Sequence, residues 1–165
     1  MDQQDWEARV TALWTAFDDH DPDDFVARVR ALADELPEGD ARGLFELACA
    51  HDSTGHEAEA ERLYRAAMDA GLTGIRRRRA AIQYASTLRN LDRAADAARI
   101  LFAERQAGSD ELDDAVAAFL ALALVDLGRE REAAALALGA LAPHLPRYQR
   151  SLTRYAEDLA IQGIE

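Results

Sequence analysis

Apolar residues recur at steps of three or four along the chain, in short blocks that polar residues separate. The first block has them at four positions: Trp6, Val10, Leu13 and Phe17. The second block, residues 25–36, repeats the same steps. This spacing places the apolar side chains on one face of an α-helix, so each block predicts an amphipathic helix.

Residues that start and stop helices stand between the blocks. Asp21-Pro22 and Asp40 predict helix starts and Gly55 predicts a stop, because Asp caps an N-terminus and Gly accepts a left-handed backbone. The whole pattern predicts an all-α chain of about nine helices, near residues 6–17, 22–36, 41–53, 57–70, 75–90, 93–106, 112–127, 129–141 and 147–162. The last helix has no partner after it, and its spacing predicts four buried residues: Tyr148, Leu152, Tyr155 and Leu159.

The helix pairs also repeat at a nearly constant interval. Ala60, Ala97 and Ala133 stand at equivalent positions 37 and 36 residues apart, and Phe25 occupies the same place in a degenerate first copy. A fixed period of this length is typical of stacked helix hairpins, which form binding surfaces.

Three copies share small and apolar residue types at matching positions. In the clearest copy these are Leu44, Leu47, Ala48, Gly55, Ala60, Tyr64 and Ala67; the next two copies have Tyr84, Ala85, Leu88, Ala97 and Leu101, then Leu120, Ala121, Leu124, Gly128, Ala133 and Ala140. The chain thereby resembles the tetratricopeptide repeat (TPR) family, in particular its small bacterial members. The resemblance implies a single domain, residues 1–165, in which the hairpins stack as a right-handed solenoid. Its parts would be a degenerate hairpin (6–37), three repeats (41–73, 75–107 and 111–146) and a capping helix (147–162).

In the TPR family the first helix of each repeat lines a concave groove, which the resemblance carries over to this chain. The residues expected to bind a partner there are Arg42, Phe45, Glu46, Cys49, Arg76, Arg79, Gln83, Ser86, Arg89, Asn90, Phe119 and Leu122. Arginine and amide groups beside aromatic rings could hold a peptide backbone or a carboxylate. The alternative is an ordinary solvated helix face. The family's clamp for a C-terminal carboxylate does not carry over, because Phe45 and Cys49 replace the basic and Asn side chains.

Arg150 and Arg154 share a face of the last helix with Arg147. We expect Arg150 and Arg154 to contact an acidic partner or the acidic first hairpin, the alternative being an exposed face without a partner. The four consecutive arginines at 76–79 cannot form one patch on a helix, since successive side chains point about 100° apart.

Charge and composition exclude several classes of function. Residues 1–70 hold 6 Arg against 18 Asp and Glu and so account for the net charge of −12; this acidity disfavours nucleic acid and membrane surfaces as partners. The chain has no lysine, which removes Schiff-base and phosphate-loop lysine chemistry. One cysteine and the lack of an apolar leader predict a cytoplasmic protein.

Two acidic or histidine-rich segments suggest metal sites, and both fit less well than a structural role. Asp19, Asp21 and Asp23 match the first calcium-ligand offsets, but Asp24 and Arg30 occupy later required positions, so helix capping is preferred. His51, Asp52 and His56 lack the helical spacing of paired histidine ligands. We therefore expect no metal and no cofactor.

The sequence predicts a non-enzymatic adaptor that binds a protein or peptide in the groove. The first alternative is a small sensor of anionic ligands, whose last helix closes over an arginine-lined pocket. The second is a metal hydrolase centred on His51, Asp52 and His56.

Overall fold

A computed structural model describes residues 3–161 of the protein. In that part of the chain every regular element is helical: α1 (Gln3–Thr15), α2 (Pro22–Ala33), α3 (Ala41–Ser53), α4 (Glu57–Asp69), α5 (Gly74–Asn90), α6 (Ala94–Ala107), α7 (Asp113–Asp126), α8 (Glu130–Leu141) and α9 (Gln149–Ile161), with short 3-10 turns at Phe17–Asp19 and Ala142–His144. The prediction of an all-α chain with nine helices is confirmed for these residues. The predicted end of the last helix, Gln162, lies outside them.

The chain forms two compact units, residues 1–80 and 81–165. In the first unit α2 packs on α3 and α3 packs on α4, around Phe25, Val29, Leu47 and Ala50. In the second unit α6, α7, α8 and α9 pack in succession. The core of the second unit also includes the last part of α5 and is built from small and branched residues such as Ala97 and Leu120.

Side-chain caps fix the helix starts that the sequence predicts. The Asp21 carboxylate accepts a hydrogen bond from the Asp23 backbone N–H at 3.0 Å, and Pro22 opens α2. The Asp40 carboxylate accepts from the Arg42 N–H at 2.9 Å at the start of α3. Since the Asp21 carboxylate is engaged in capping, the structure supports capping as the reason for the aspartate run before α2.

Two of the predicted apolar stripes, those of the first and last helices, differ from the structure. The first α-helix stops at Thr15, and Phe17 lies in a 3-10 turn. On α9 the prediction is wrong for both tyrosines: Tyr148 is 77% exposed and Tyr155 is 54% exposed. Tyr148 precedes the helix with a φ of +70°, so it is not part of the helical face, and the buried side chain of α9 is Ala156. A small residue at this position allows α9 to approach α8 closely.

Candidate functional site

A cleft of about 350 Å³ opens on the first unit. It is lined by side chains of α1, α3 and the first turns of α5: Val10, Thr11, Trp14, Thr15, Glu46, Arg76 and Arg79. These are the first helices of three consecutive hairpins. The lining therefore comes from the helices that the resemblance associates with the binding surface.

Arg76 ties the three helices together at the floor of the cleft. Its Nε donates to Glu46 Oε1 at 3.2 Å, and its Nη1 donates to Glu7 Oε1 at 2.9 Å. Trp14 Nε1 donates to the other oxygen of Glu46 at 2.9 Å. The hydrogen bond to Glu7 raises the pKa of Arg76, with the charge of Glu46 adding to the effect. Arg76 is thus occupied by the protein's own carboxylates.

Arg79 carries the cleft's accessible positive charge. Its side chain is exposed, and its guanidinium carbon lies 5.3 Å from the centre of the Phe45 ring. Within the described part of the chain, the structure records no carboxylate in ion-pair contact with Arg79. The run 76–79 does not form one patch, as predicted, because Arg78 is buried whereas Arg77 and Arg79 are exposed.

The α1 wall of the cleft combines a fixed aromatic ring with hydroxyl acceptors. Trp14 is half-buried and packs edge-on against Phe25 at a centroid distance of 4.9 Å. The Thr11 and Thr15 hydroxyls donate to backbone oxygens one helical turn earlier, at 2.9 and 2.8 Å. Their oxygen lone pairs remain able to accept a hydrogen bond from a ligand.

Besides the paired Glu46 and Arg76, three further residues that we expected to line an open groove are inaccessible or occupied. Phe45 is fully buried and Cys49 is 2% exposed, so the expectation of an open position is wrong for both. Burial raises the pKa of the Cys49 thiol to about 12. Arg42 is paired with Asp40, and its guanidinium carbon lies 5.7 Å from the centre of the Trp6 ring. The spacing of residues along a helix places each side chain on a face but does not reveal which neighbouring side chains cover it.

The remaining predicted residues lie in the second unit. Gln83, Ser86, Arg89 and Phe119 are half-buried there, whereas Asn90, Leu122, Arg150 and Arg154 are exposed. Arg89 is paired with Asp126 on α7. Leu122 and Val125 lie one helical turn apart on α7 and are 45% and 49% exposed, which gives this helix an apolar outer strip.

The three candidate metal ligands, His51, Asp52 and His56, make different contacts in the structure. Asp52 accepts a hydrogen bond from the Tyr64 hydroxyl at 3.2 Å, and His56 Nδ1 lies 3.0 Å from Thr54 Oγ1. Both ring nitrogens of His51 are buried without a hydrogen-bond partner. Over residues 3–161 there is no cluster of three His, Cys, Asp or Glu residues arranged to hold a metal ion.

Two members of the cleft network, Glu7 and Trp14, were not predicted as site residues from the sequence. Trp14 was visible only as a flanking aromatic beside the apolar stripe of α1. Glu7 directly follows the buried Trp6, and no local signal marks its contact with Arg76, 69 positions later.

None of the helices between residues 3 and 161 has the length and apolar character needed to cross a bilayer.

Comparison with known protein families gives a match. No curated protein and no solved structure matches the chain. A family model described as "Tetratrico peptide repeat" matches residues 41–159, which is more than half of the chain and includes α3 to α8 with most of α9. The chain therefore belongs to the tetratricopeptide repeat family.

Proposed function

We propose that this protein is a non-enzymatic scaffold that binds an extended segment of another protein in the cleft of the first unit. Family membership supports the general role, because TPR domains are protein-interaction scaffolds. The observation that carries the specific proposal is the exposed Arg79 guanidinium, which lies over Phe45 and shares the cleft with Trp14.

The groups of the cleft match those of an extended peptide. Arg79 can donate to a backbone carbonyl or a carboxylate. Thr11 and Thr15 can accept from backbone N–H groups. The half-buried Trp14 ring provides an apolar surface for one side chain, and aromatic residues of this kind often dominate the binding energy of interfaces.

A small anion is the weaker alternative for this cleft. Arg76 already bonds two carboxylates, so Arg79 would have to hold an anion largely alone. Residues 1–70 carry 18 acidic side chains against 6 arginines, and this surplus opposes a free anion more than a neutral peptide backbone. We also propose that the protein is cytoplasmic and carries out no catalytic step; the buried thiol of Cys49, which is in no disulfide, fits a reducing compartment.

The test is selection of peptides from a random library against the full chain, followed by calorimetric titration of the selected peptides. We expect Arg79→Ala to weaken binding by about tenfold, the loss of one charged hydrogen bond. Arg65→Ala, at an exposed arginine of α4, is the matched control and should leave affinity unchanged.

Two outcomes would contradict the proposal. One is a selection that yields no binding peptide. The other is a set of peptides that bind the Arg79→Ala variant with the same affinity as the parent. A parallel thermal-shift screen with anionic metabolites tests the sensor alternative, because a ligand at a hundred times its Kd stabilises the fold by about 2.7 kcal/mol.

A further inference from the structure

We propose that a second copy of this chain docks its acidic turn, residues 18–24, on the arginine face of α9. The arginine face consists of Arg150 and Arg154 on α9, together with Arg147, which precedes the helix. This interaction surface is distinct from the cleft and would join copies head to tail.

The arginine face has three exposed cations. Among the residues that the structure describes, no ion pair to a carboxylate is recorded for any of the three. Arg150 and Arg154 lie on the side of α9 opposite the buried Ala156, so both project outward. Gln149 Nε2 donates to the Pro143 and Leu145 carbonyls at 2.9 and 2.8 Å, which fixes the start of the helix. The start of the helix that carries Arg150 and Arg154 is thus anchored to the preceding turn.

Two exposed tyrosines flank these charges. Tyr155 lies beneath Arg154, whose guanidinium carbon is 5.4 Å from the ring centre. Tyr148 is 77% exposed and has a φ of +70°, a backbone region that bulky residues rarely adopt. Tyrosine and arginine together are the residue types enriched at the centres of protein interfaces.

The acidic turn supplies the complementary charges. Asp18, Asp19 and Asp23 are exposed, and over residues 3–161 no cation is recorded in contact with their carboxylates. Their neighbours are already engaged, since Asp24 pairs with Arg28 and Asp21 caps α2. The turn therefore presents three unpaired carboxylates for three unpaired arginines.

Charge complementarity between two ends of the same chain favours a second copy as the occupant. The net charge of −12 opposes association at long range, but about 0.1 M salt screens beyond about 10 Å while close pairs still attract. The contact joins different surfaces of the two copies, so it is heterologous and can propagate. We expect association that is strongest near 0.1 M salt and lost near 1 M, where the screening length is about 3 Å.

The experiment is sedimentation velocity of the full chain over a concentration series in about 0.1 M salt. We expect the weight-average mass to rise with concentration, and we expect Arg150→Glu/Arg154→Glu to weaken association at least tenfold. The control is Arg65→Glu/Arg105→Glu, which makes the same charge change at exposed arginines of α4 and α6 and should associate like the parent. Circular dichroism establishes that each variant is folded.

A second experiment exchanges the charges between the acidic turn and the arginine face. Asp18→Arg/Asp19→Arg should not associate alone, but it should associate with Arg150→Glu/Arg154→Glu when the two are mixed, because each surface of one variant then meets the opposite charge on the other. A wild-type chain that stays monomeric throughout would overturn the proposal, and so would association that the arginine variant does not weaken or mixtures that do not pair. Arg79→Ala should leave self-association unchanged, so this result and the peptide-binding result can fail independently.

Discussion

Arg76 on α5 donates from Nε to Oε1 of Glu46 on α3 at 3.2 Å, and Glu46 is only 3% exposed. A carboxylate at this depth is stable because its other oxygen accepts from Trp14. The arginine that the sequence analysis placed in a partner-binding stripe thus joins elements of its own unit. Of the two cleft arginines, Arg79 remains the one able to reach a partner.

Removing the Glu46 carboxylate should destabilise the fold. We expect Glu46→Ala to lower the free energy of unfolding by about 2–3 kcal/mol, because it leaves the Trp14 N–H and part of the Arg76 guanidinium without an acceptor. Urea unfolding followed by circular dichroism measures the change. Glu38→Ala, at an exposed loop position, is the control and should stay within about 0.5 kcal/mol of the parent.

The protein should lose stability as the pH falls below about 6.5, the ordinary value for histidine. Burial lowers the pKa of His51, and His56, Arg30 and Arg62 lower it further. The unfolded chain therefore takes up this proton before the folded chain does, and the loss continues until the pH reaches the folded pKa.

The His51→Phe variant tests this pH dependence. We expect a smaller decrease in melting temperature between pH 7 and pH 5 than in the parent, since the titrating group is gone. His144→Gln changes an exposed ring and should retain the decrease. Equal pH profiles for His51→Phe and the parent would exclude His51 as the source.

Cys49 should be unreactive in the folded protein. Its thiol is buried and its pKa is raised to about 12, so the thiolate is scarce and shielded at pH 8. We expect a disulfide reagent to modify it about a hundredfold more slowly than in denaturant, because reaction requires local opening. Rapid stoichiometric labelling of the native chain would contradict the structure at this position.

Two glycines of the second unit, Gly128 and Gly139, should respond to alanine in opposite directions. Gly139 lies within α8, and an added Cβ meets no atom within 4 Å, so Gly139→Ala should stabilise by about 0.5–1 kcal/mol. Gly128 has a φ of +71°, and Gly128→Ala should destabilise by about 1–2 kcal/mol. The same urea titration measures both variants, and a shift of equal sign would refute this assignment of backbone strain.

The helices were predictable because their signals are local. Asp40 and Gly55 bracket a predicted helix, and the structure has α3 at Ala41–Ser53. Local spacing was insufficient on α9, where the steps from Tyr148 to Leu159 fit a helical stripe although the helix begins after Tyr148. Which of two overlapping stripes is buried depends on the neighbouring helix, and that information is not local.

The candidate site was predictable only as a set of positions on helices. The resemblance to the TPR family assigned Arg79 to the groove, and Arg79 lines the cleft in the structure. Phe45 on α3 was assigned to the same groove as Arg79, but it is fully buried because side chains from neighbouring helices cover it. The pairing of Glu7 with Arg76 depends on contacts 69 positions apart, which no motif encodes.

The two tryptophans differ in their exposure to the cleft, so intrinsic fluorescence can report binding there. Trp6 is fully buried with its indole N–H bonded to Leu32, whereas Trp14 lines the cleft and is half-buried. A bound segment would therefore change the emission of one indole and leave the other almost constant, so occupancy could be followed by intrinsic fluorescence without any attached label.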